Sequence, residues 1–510
     1  MLARIASAAV LGIDAYLVDV ETDIAFGLPS FATVGLPHGA VKESRERVNS
    51  AIHNTGYLFP LQRITVNLAP ADIRKEGSAF DLPIALGILA ATGQIDPAGL
   101  RGYLVLGELG LDGGIRPIRG ALSMAVAAEQ AGCAGLVVPA ANVREAAVVK
   151  TLDVRGAATL AEVVGHLDGG PPLPRGEVDV DALFASRASD AVDFCEVKGQ
   201  EYAKRALEVA AAGAHNLLMV GPPGSGKTML ARRLPTILPA MSLAEALETT
   251  KIHSVAGVLP TGESLIATRP FRSPHHTISD AGLIGGGSYP RPGEVSLAHN
   301  GVLFLDELPE FRKNVLEVLR QPMEDGAVTL SRAAVSLSYP ARFMLAAAMN
   351  PCPCGFHGST ARPCGCTPAE VRRYLARVSG PLLDRIDLHL EVPAVAYRQL
   401  SDERSGEPSE AIRERVARAR GMQQDRFSGR RGIFANAHMA PRDIRACCRL
   451  TDGADAILRT AITRLGLSAR AYHRTLKIAR TVADLAAAAA IEPAHVSEAV
   501  QYRTLDRGNP

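Results

Sequence analysis

The sequence predicts a multidomain α/β protein, and three features of its residue order predict it. From about residue 191 to 394, apolar strand-like runs alternate with helical stretches, which is the order typical of a parallel α/β sheet. Residues 1–167 mix short β-like runs with alanine-rich helical stretches, and after about residue 395 only helical patterns remain. Proline and glycine are frequent at 168–190, which predicts a linker. We therefore predict domains at 1–167, 191–394 and 395–510.

Hydrophobic periodicity gives the expected elements of each segment. In the first segment, strands are expected at 16–20, 64–68, 103–106 and 135–138, and helices at 80–91 and 120–131. In the second segment, buried strands are expected at 217–220, 301–305, 343–348 and 388–392. In the third segment, helices are expected at 413–424, 454–465, 469–490 and 493–502.

Composition restricts the class of protein. The chain has 510 residues, a formal net charge of +2 and 47% hydrophobic residues, which fits several globular domains. We predict no membrane span, because no apolar run reaches the length of about eighteen residues that a span needs. Asp14, Asp19 and Glu21 follow the first apolar stretch closely, so we do not interpret that stretch as a signal peptide. Eight cysteines in a chain of this length predict a reduced cytoplasmic protein, not a secreted disulfide framework.

A phosphate-binding loop follows the strand expected at 217–220. Its sequence fits the pattern G-x-x-x-x-G-K-[ST], and a helical stretch follows at 228–234. Glycines let consecutive backbone N–H groups point at phosphates, Lys227 adds a positive charge, and Thr228 offers a hydroxyl to Mg²⁺. The predicted nucleotide-binding residues are Gly221, Pro222, Pro223, Gly224, Ser225, Gly226, Lys227 and Thr228.

A second nucleotide-site segment is the apolar run at 302–305, which ends in two carboxylates, Asp306 and Glu307. Asp306 would hold Mg²⁺ together with Thr228, and Glu307 would polarise the attacking water. The two segments together predict a chain that binds and hydrolyses a nucleoside triphosphate, with ATP and Mg²⁺ as its expected ligands.

Four cysteines, Cys352, Cys354, Cys364 and Cys366, form a C-x-C-x₉-C-x-C pattern directly after the strand expected at 343–348. Four thiolates separated by turn-forming proline and glycine can close tetrahedrally on Zn²⁺, and four protein ligands leave no open position for catalysis. We therefore favour a structural Zn²⁺ site, with His357 as a substitute ligand. The alternatives are four reduced thiols in a flexible loop and an iron–sulfur cluster.

The central segment resembles the magnesium-chelatase-like AAA+ proteins. The resemblance rests on Phe271-Arg-Ser-Pro-His-His-Thr-Ile-Ser-Asp-Ala-Gly-Leu-Ile-Gly-Gly-Gly and on the long stretch from Pro290 to Glu307. With the N-terminal segment included, nearly the whole chain resembles the YifB/ComM family, of the competence-associated branch-migration helicase type. The resemblance implies an AAA+ core, a C-terminal helical lid of the magnesium-chelatase type, and inserts that project toward the pore of a homohexamer.

The family pattern implies roles for three further residues. Asn350 matches the sensor-1 residue that aligns the attacking water, Arg385 matches the arginine finger donated to a neighbouring subunit, and Arg470 matches sensor 2 on the helical lid. Guanidinium groups suit these roles because phosphoryl transfer spreads negative charge over several oxygens. The expected catalytic residues are thus Glu307, Asn350, Arg385 and Arg470.

The insert at 274–293 supplies the candidates for DNA contact. Its glycines and prolines suit a loop, and Arg272, His275, His276 and Arg291 would face phosphates in a central pore. The alternative for the two histidines is hydrogen bonding within the insert itself.

The N-terminal segment resembles the Lon-protease fold, which is of the ribosomal S5 domain 2 type, without its Ser–Lys pair. Alignment on Lys75-Glu-Gly puts Ala79 at the position of the nucleophile, and Ser78 is displaced by one residue. Alignment on Pro117-Ile118 puts Leu122 near the position of the lysine base. A serine without a base is a poor nucleophile, so we expect a non-proteolytic domain.

The resemblance implies an ATP-driven hexameric DNA motor that promotes branch migration during natural transformation. Its expected partners are single-stranded or branched DNA and further copies of the chain, in the cytoplasm and away from membranes. One alternative is a chelatase-type ATPase that remodels a protein partner, in metal insertion or as a chaperone. A second is an ATP-dependent protease in which Lys75 serves as the base.

Overall fold

The computed structural model divides the chain into two compact units. It describes residues 1–503 apart from 38, 42, 74, 76, 186–191, 261, 288–289, 332–335, 360–361, 396–405, 431 and 467. The first unit holds Met1–Ser186 together with Leu243–Ala267, and the second holds Arg187–Ser242 together with Thr268–Pro510. The division differs from the predicted linear boundaries because 243–267, inside the predicted core, belongs to the first unit. Apart from 243–267, the predicted ATPase core and the C-terminal helices both lie in the second unit. The predicted boundary between them, at 394–395, stays a prediction.

Two sheets and a short hairpin form the framework of the first unit. Its strands are Leu2–Leu11, Asp14–Ala25, Ser30–Val34, Arg63–Ala69, Tyr103–Val105, Glu108–Leu109, Ile115–Arg116, Gly135–Pro139 and Asp153–Ala157. Its helices of four residues or more are Ser44–Asn54, Asp81–Ala91, Ala121–Gln130, Val143–Ala146, Leu160–Leu167, Val180–Ala185 and Leu243–Ala256, with a 3₁₀ helix at Pro97–Leu100. The strands beginning at Tyr103, Gly135 and Asp153 pair in parallel, whereas the first two strands of the chain pair antiparallel.

A buried ion pair joins two helices of this unit. Arg47, on helix Ser44–Asn54, donates from Nε to Asp81 Oδ2 over 2.6 Å and from Nη2 to Asp81 Oδ1 over 3.0 Å. The Asp81 side chain is only 1% exposed, and it begins helix Asp81–Ala91, whose residues are almost all buried. The charge of Asp81 is therefore paired within the apolar core of the unit and not left without a partner.

Helix Leu243–Ala256 belongs to the first unit, although its sequence lies within the predicted ATPase core. Ser254 Oγ accepts from the backbone N–H of Gly120 over 2.8 Å, and Lys251 Nζ lies 3.1 Å from Asp14 Oδ1. Ser254 also bonds to Glu145, which in turn accepts from the N–H of Leu122 over 2.9 Å. These contacts explain why the segment belongs with the first unit despite its position in the chain.

The second unit is built on a parallel sheet of five strands. The strand order is Phe271–Arg272, Val302–Leu305, Met344–Met349, Leu217–Val220 and Leu388–Glu391, with every neighbouring pair parallel. The strand before Asn350 thus lies between the strand that leads into the P-loop and the strand that ends before Asp306. This confirms the mixed α/β class with a central parallel sheet, and it brings the carboxyl ends of the three central strands to one edge.

Helices and two hairpins complete the second unit. The helices before the C-terminal region are Glu201–Gly213, Lys227–Ile237, Asp280–Ile284, Glu294–Leu297, Lys313–Val318, Arg320–Asp325, Pro368–Leu375 and Gly380–Leu383. The C-terminal helices are Ser409–Arg426, Pro441–Cys447, Asp452–Leu465, Ala469–Leu485 and Pro493–Gln501. The hairpins pair Gly285–Gly286 with Arg291–Pro292, and Ala327–Ser331 with Ser336–Pro340.

Two of the differences between the expected and the observed elements have a clear physical reason. Strand Leu2–Leu11 is absent from the predicted set because its alanine-rich run hides the alternation of exposed and buried residues at its start. The helix expected at 469–490 ends at Leu485, because Ala487 takes a left-handed conformation with φ of 52°. The guanidinium of buried Arg480 donates to the carbonyls of Ala488 and Ala489 and fixes this ending.

No helix among the described residues is long and apolar enough to cross a membrane.

Lowering the pH from 7 to 5 is expected to lower the free energy of unfolding through His389. Burial first, and then the charges of Arg503 and Arg474, lower the pKa of this histidine to about 3, against the opposing charge of Asp387. The unfolded chain binds a proton there below about pH 6.5, whereas the folded chain does not until near pH 3. The stabilisation is therefore present above about pH 6.5 and is lost as the pH falls, by on the order of 1 kcal/mol per pH unit.

Urea unfolding at a series of pH values measures this effect. His389→Leu should flatten the pH dependence, whereas His53→Leu, at an exposed position of the first unit, should not. Equal slopes in the wild-type protein and both variants would contradict the assignment.

Candidate functional site

The P-loop turns sharply between strand Leu217–Val220 and helix Lys227–Ile237. A Cβ atom on Gly221 would lie 2.1 Å from the carbonyl oxygen of Val392, so this position has room only for glycine. Gly226 precedes the helix with φ of 86°, a left-handed conformation that glycine adopts without strain. The loop is therefore held at the N-terminus of a helix, where backbone N–H groups favour an anion.

Lys227 connects the P-loop with the predicted sensor residue Asn350. Its Nζ donates to the carbonyl oxygens of Gly221 over 2.7 Å and Pro222 over 2.9 Å, and it lies 3.3 Å from Asn350 Oδ1. Burial lowers the pKa of Lys227, and the charge of Asp306 opposes this change. The structure thus brings the lysine and the sensor amide together, as the parallel order of their strands requires.

Thr228 and Asp306 form the second contact of the site. Thr228 Oγ1 donates to Asp306 Oδ2 over 2.7 Å, and the backbone N–H of Glu307 donates to Asp306 Oδ1 over 2.9 Å. A hydroxyl next to a carboxylate on a partly exposed edge is the oxygen donor set that Mg²⁺ prefers. The two residues therefore fit the ion that the sequence predicts for them.

Glu307 follows Asp306 in a left-handed conformation, with φ of 52° and a side chain that is 58% exposed. His276 Nδ1 lies 3.5 Å from Glu307 Oε2. The ring of His276 is 4.1 Å from that of His275 between centroids, and it meets Phe311 edge-on at 6.4 Å. A histidine from the insert thus faces the carboxylate that is predicted to activate water.

Arg385 and Arg470, the predicted finger and sensor 2, have partners outside the P-loop. Arg385 pairs with Glu324 and donates from Nη1 to the carbonyl oxygen of Pro381 over 2.7 Å, and its side chain is only 12% exposed. Arg470 is 68% exposed and lies 3.7 Å from Asp384 Oδ2. The roles of Arg385 as arginine finger and of Arg470 as sensor 2 therefore stay predictions.

The four DNA-contact candidates are placed differently from one another. Arg272 is half-buried in a bidentate pair with Glu294, at 2.6 and 2.7 Å. His275 Nδ1 lies 2.9 Å from Thr277 Oγ1, which agrees with the alternative of hydrogen bonding within the insert. Arg291 is exposed at the hairpin paired with Gly285–Gly286.

The four cysteines of the C-x-C-x₉-C-x-C pattern meet in space, with all four Sγ atoms within 4.8 Å of one another. Cys352 Sγ lies 3.3 Å from Cys354 Sγ and 3.7 Å from Cys364 Sγ. Backbone N–H groups of Phe356 and Gly365 lower the pKa of Cys354 to about 6. His357 contributes its backbone N–H, 3.3 Å from Cys352 Sγ, and its ring is not part of the group.

In the first unit, the two residues that the protease alternative requires bond to different partners. Ser78 Oγ bonds to Glu108, whereas Lys75 Nζ donates to the carbonyl oxygen of Ile73 over 2.8 Å. Burial lowers the pKa of Lys75, as a general base would need, but its partner is a backbone carbonyl. Leu122 is fully buried. The observed partners therefore give no support to a Ser78–Lys75 pair.

Three family models cover most of the chain. The model described as "Magnesium chelatase, subunit ChlI" matches residues 193–400, "Subunit ChlI of Mg-chelatase" matches 20–142, and "Magnesium chelatase, subunit ChlI C-terminal" matches 406–503. The chain is also 44% identical over 508 residues to competence protein ComM of Haemophilus influenzae. The aligned region covers 99% of this chain and 98% of that protein. The chain is 46% identical over 508 residues to protein YifB of Salmonella typhimurium, with the same coverage. The chain belongs to the YifB/ComM family of magnesium-chelatase-like AAA+ proteins.

Membership of the YifB/ComM family implies ATPase activity with ATP and Mg²⁺. The similarity to magnesium chelatase itself is weaker. The 38 kDa subunit of that enzyme from Rhodobacter capsulatus is 27% identical over 177 residues, which cover 31% of this chain and 50% of the subunit.

Sequence reasoning missed three contacts of the site in this YifB/ComM family member. It assigned His276 to DNA and gave Glu307 no partner, it gave Arg385 no partner in its own chain, and it did not connect the cysteines with the P-loop. Each missed contact joins segments that are at least thirty residues apart in the sequence or lie on different strands. Glu307 and Cys352 follow strand ends closely, but Arg385 follows helix Gly380–Leu383 and Glu324 lies in helix Arg320–Asp325, so no shared sequence signal marks these contacts.

His276→Phe should raise the basal rate of ATP hydrolysis several-fold. The substitution keeps a ring beside Phe311 but removes the nitrogen that faces Glu307, so the carboxylate loses its partner in its own chain. Steady-state hydrolysis without DNA measures the effect, with His166→Phe in the first unit as the matched control. A lower rate at unchanged affinity for ATP would show instead that His276 assists hydrolysis.

Proposed function

We propose that this chain is an ATP-driven hexameric DNA motor that promotes branch migration of recombination intermediates during natural transformation. The observations that carry the proposal are the contacts of Lys227 with Asn350 and of Thr228 with Asp306 at one sheet edge, in a chain similar over its whole length to a protein named for competence. Hydrolysis at the nucleotide site would provide the energy, and the similarity to competence protein ComM suggests natural transformation as the process.

The P-loop of one subunit would bind ATP, with Lys227 near the β- and γ-phosphates and with Thr228 and Asp306 as holders of Mg²⁺. The ion would neutralise charge on the phosphate oxygens. Glu307 would orient and polarise the attacking water, and Asn350, which lies 3.3 Å from Lys227 Nζ, would align it. Release of Glu307 from His276 would precede each turnover.

Arg385 would complete the site of the neighbouring subunit in a homohexamer. Its partners Glu324 and Pro381 are in its own chain and outside the P-loop, which agrees with a group that acts on another copy. A guanidinium supplied in trans raises rates by roughly 10³–10⁵ and makes hydrolysis depend on assembly. Arg470, exposed on helix Ala469–Leu485, would contact nucleotide as sensor 2, and the C-terminal helices would move as a lid.

The hairpin with exposed Arg291 would contact the DNA backbone in the pore, and His276 would report the position of the insert to Glu307. Arg272 is engaged by Glu294, so we assign it a supporting role for the insert. The first unit would be a Lon-like domain without protease activity that serves in assembly or DNA guidance. The four-cysteine group would hold a structural Zn²⁺, because four protein ligands leave no open position.

The second candidate is an ATPase that remodels a protein partner, as a chelatase subunit does. It is favoured by the three family models, which all bear the name of magnesium chelatase. It is disfavoured by the short span of similarity to the chelatase subunit, 31% of this chain. The two candidates predict different activators, DNA for the first and a protein for the second.

ATP hydrolysis is expected to be stimulated strongly by single-stranded DNA or a four-way junction, since a motor couples turnover to its track. The rate is measured for the purified protein alone and with each DNA, beside Glu307→Gln, which should bind ATP but not hydrolyse it. Stimulation that is absent from Glu307→Gln would support the motor and lead to a branch-migration assay. A measurable rate that no DNA changes would favour the protein-remodelling candidate.

Mixing two inactive variants tests the shared active site. Lys227→Ala subunits lack the P-loop charge but carry Arg385, and Arg385→Ala subunits have the reverse defect. If the finger acts in trans, mixed oligomers contain some sites with both groups and regain part of the activity. Each variant mixed with wild-type protein serves as the control for subunit exchange, and exchange without recovery would place Arg385 in cis.

A further inference from the structure

The four-cysteine group has the geometry of a site for one tetrahedral ion. Sulfur atoms about 2.3 Å from a central Zn²⁺ are about 3.8 Å apart in a tetrahedron. The recorded Sγ distances are 3.3, 3.5 and 3.7 Å, well above the length of a disulfide bond, and all four cysteines are free. The group contains thiols alone, which favour Zn²⁺ over oxygen-preferring ions such as Mg²⁺.

Backbone N–H groups surround the sulfur atoms as outer partners. Besides the N–H of His357, the N–H of Cys366 lies 3.4 Å from Cys364 Sγ, and those of Phe356 and Gly365 bond to Cys354. Such donors are the outer hydrogen-bond partners that orient the ligand atoms of a metal site. The loop therefore provides both the ligands and the support that a metal site needs.

One end of the cysteine loop is attached to the nucleotide site. Cys352 is buried two residues after Asn350, whose side chain lies 3.3 Å from Lys227 Nζ. Gly355, with φ of 86°, packs so closely on the P-loop that a Cβ atom there would lie 2.4 Å from Pro223 Cδ. The first pair of cysteines thus lies between the predicted sensor and the P-loop.

The other end of the loop leads to the turn that carries Glu307. Cys364 and Cys366 precede helix Pro368–Leu375, which begins with a capping box formed by Thr367 and Glu370. Just after this helix, Arg377 Nη1 donates to both carboxylate oxygens of Glu310 over 2.8 Å. Glu310 belongs to the 3₁₀ turn that follows Glu307 directly.

We infer that the four cysteines bind one Zn²⁺ that fixes the nucleotide site, by clamping the sensor strand and the P-loop to the helix behind the Glu307 turn. The inference rests on the proposed ATPase function of this site. Without the ion, Asn350 and Pro223 lose one of the supports that connect them to helix Pro368–Leu375, and the hydrogen bond between Tyr374 and the backbone of Asn350 is left to hold the helix to the sensor strand. The ion acts on position alone and takes no part in hydrolysis.

Metal analysis combined with nucleotide binding tests the inference. Zinc content is measured by mass spectrometry, and affinity is measured with a fluorescent ATP analogue, for the wild-type protein, Cys354→Ser, Cys366→Ser and the matched control Cys133→Ser. We expect about one zinc per chain in the wild type and the control. The two cluster variants should lose the zinc and bind nucleotide several-fold more weakly, with turnover lower by roughly ten- to hundredfold, the scale of a misplacement of about 1 Å.

Gly355→Ala separates metal binding from its effect on the site. It leaves all four thiols in place but puts a methyl group against Pro223, so it should keep the zinc and still weaken nucleotide binding. If the serine variants fail to fold, zinc is removed from wild-type protein with a chelator and returned. The affinity should fall and recover while the circular dichroism spectrum stays that of folded protein.

Several outcomes would overturn the inference. One is wild-type protein without zinc after reducing purification in zinc-supplemented medium, and another is iron in its place. A third is a zinc-free cluster variant with wild-type affinity for nucleotide. Failure of the motor proposal is distinct, because zinc-dependent nucleotide binding without any stimulation by DNA would remove that proposal and leave this one.

Discussion

The nucleotide site of this protein depends on the order of three parallel strands. Because strand Met344–Met349 lies between Leu217–Val220 and Val302–Leu305, the P-loop, Asn350 and Asp306 leave the sheet at one edge. The contacts from Lys227 to Asn350 and from Thr228 to Asp306 follow directly from this order. Strands in a parallel sheet are buried on both faces, which explains why all three are continuous apolar runs.

Partners around this edge restrain the groups that would perform hydrolysis. Glu307 faces His276 of the insert, and Arg385 is held by Glu324 in its own chain. Each of these groups has a partner in its own chain, and that partner would have to be exchanged before the group could act in catalysis. Control of hydrolysis by DNA and by assembly would then have a physical basis in the contacts between His276 and Glu307 and between Arg385 and Glu324, within the proposed function.

The supporting structure extends well beyond the three strands. The four-cysteine loop packs on Pro223 through Gly355 and connects through Arg377 to the turn behind Glu307. In the first unit, helix Leu243–Ala256 brings part of the ATPase segment into contact with residues such as Gly120 and Asp14. The chain therefore passes from the first unit into the second, back into the first and again into the second, so that more than one connection links the two units.

The amino-acid sequence alone was enough to predict the candidate nucleotide-binding residues, the α/β class with a parallel sheet, and the cysteines that could share an ion. It could do so because a P-loop, a buried strand and a four-cysteine pattern are each formed within a short segment. The three-dimensional structure was needed to show which strand lies between the others, which partners contact Glu307 and Arg385, and that Leu243–Ala256 belongs to the first unit. These features depend on contacts between distant segments, and local periodicity contains no information about the pairing of such segments. The end of the helix at Leu485 also depends on tertiary structure, because buried Arg480 bonds to the carbonyl of Ala488, directly after left-handed Ala487.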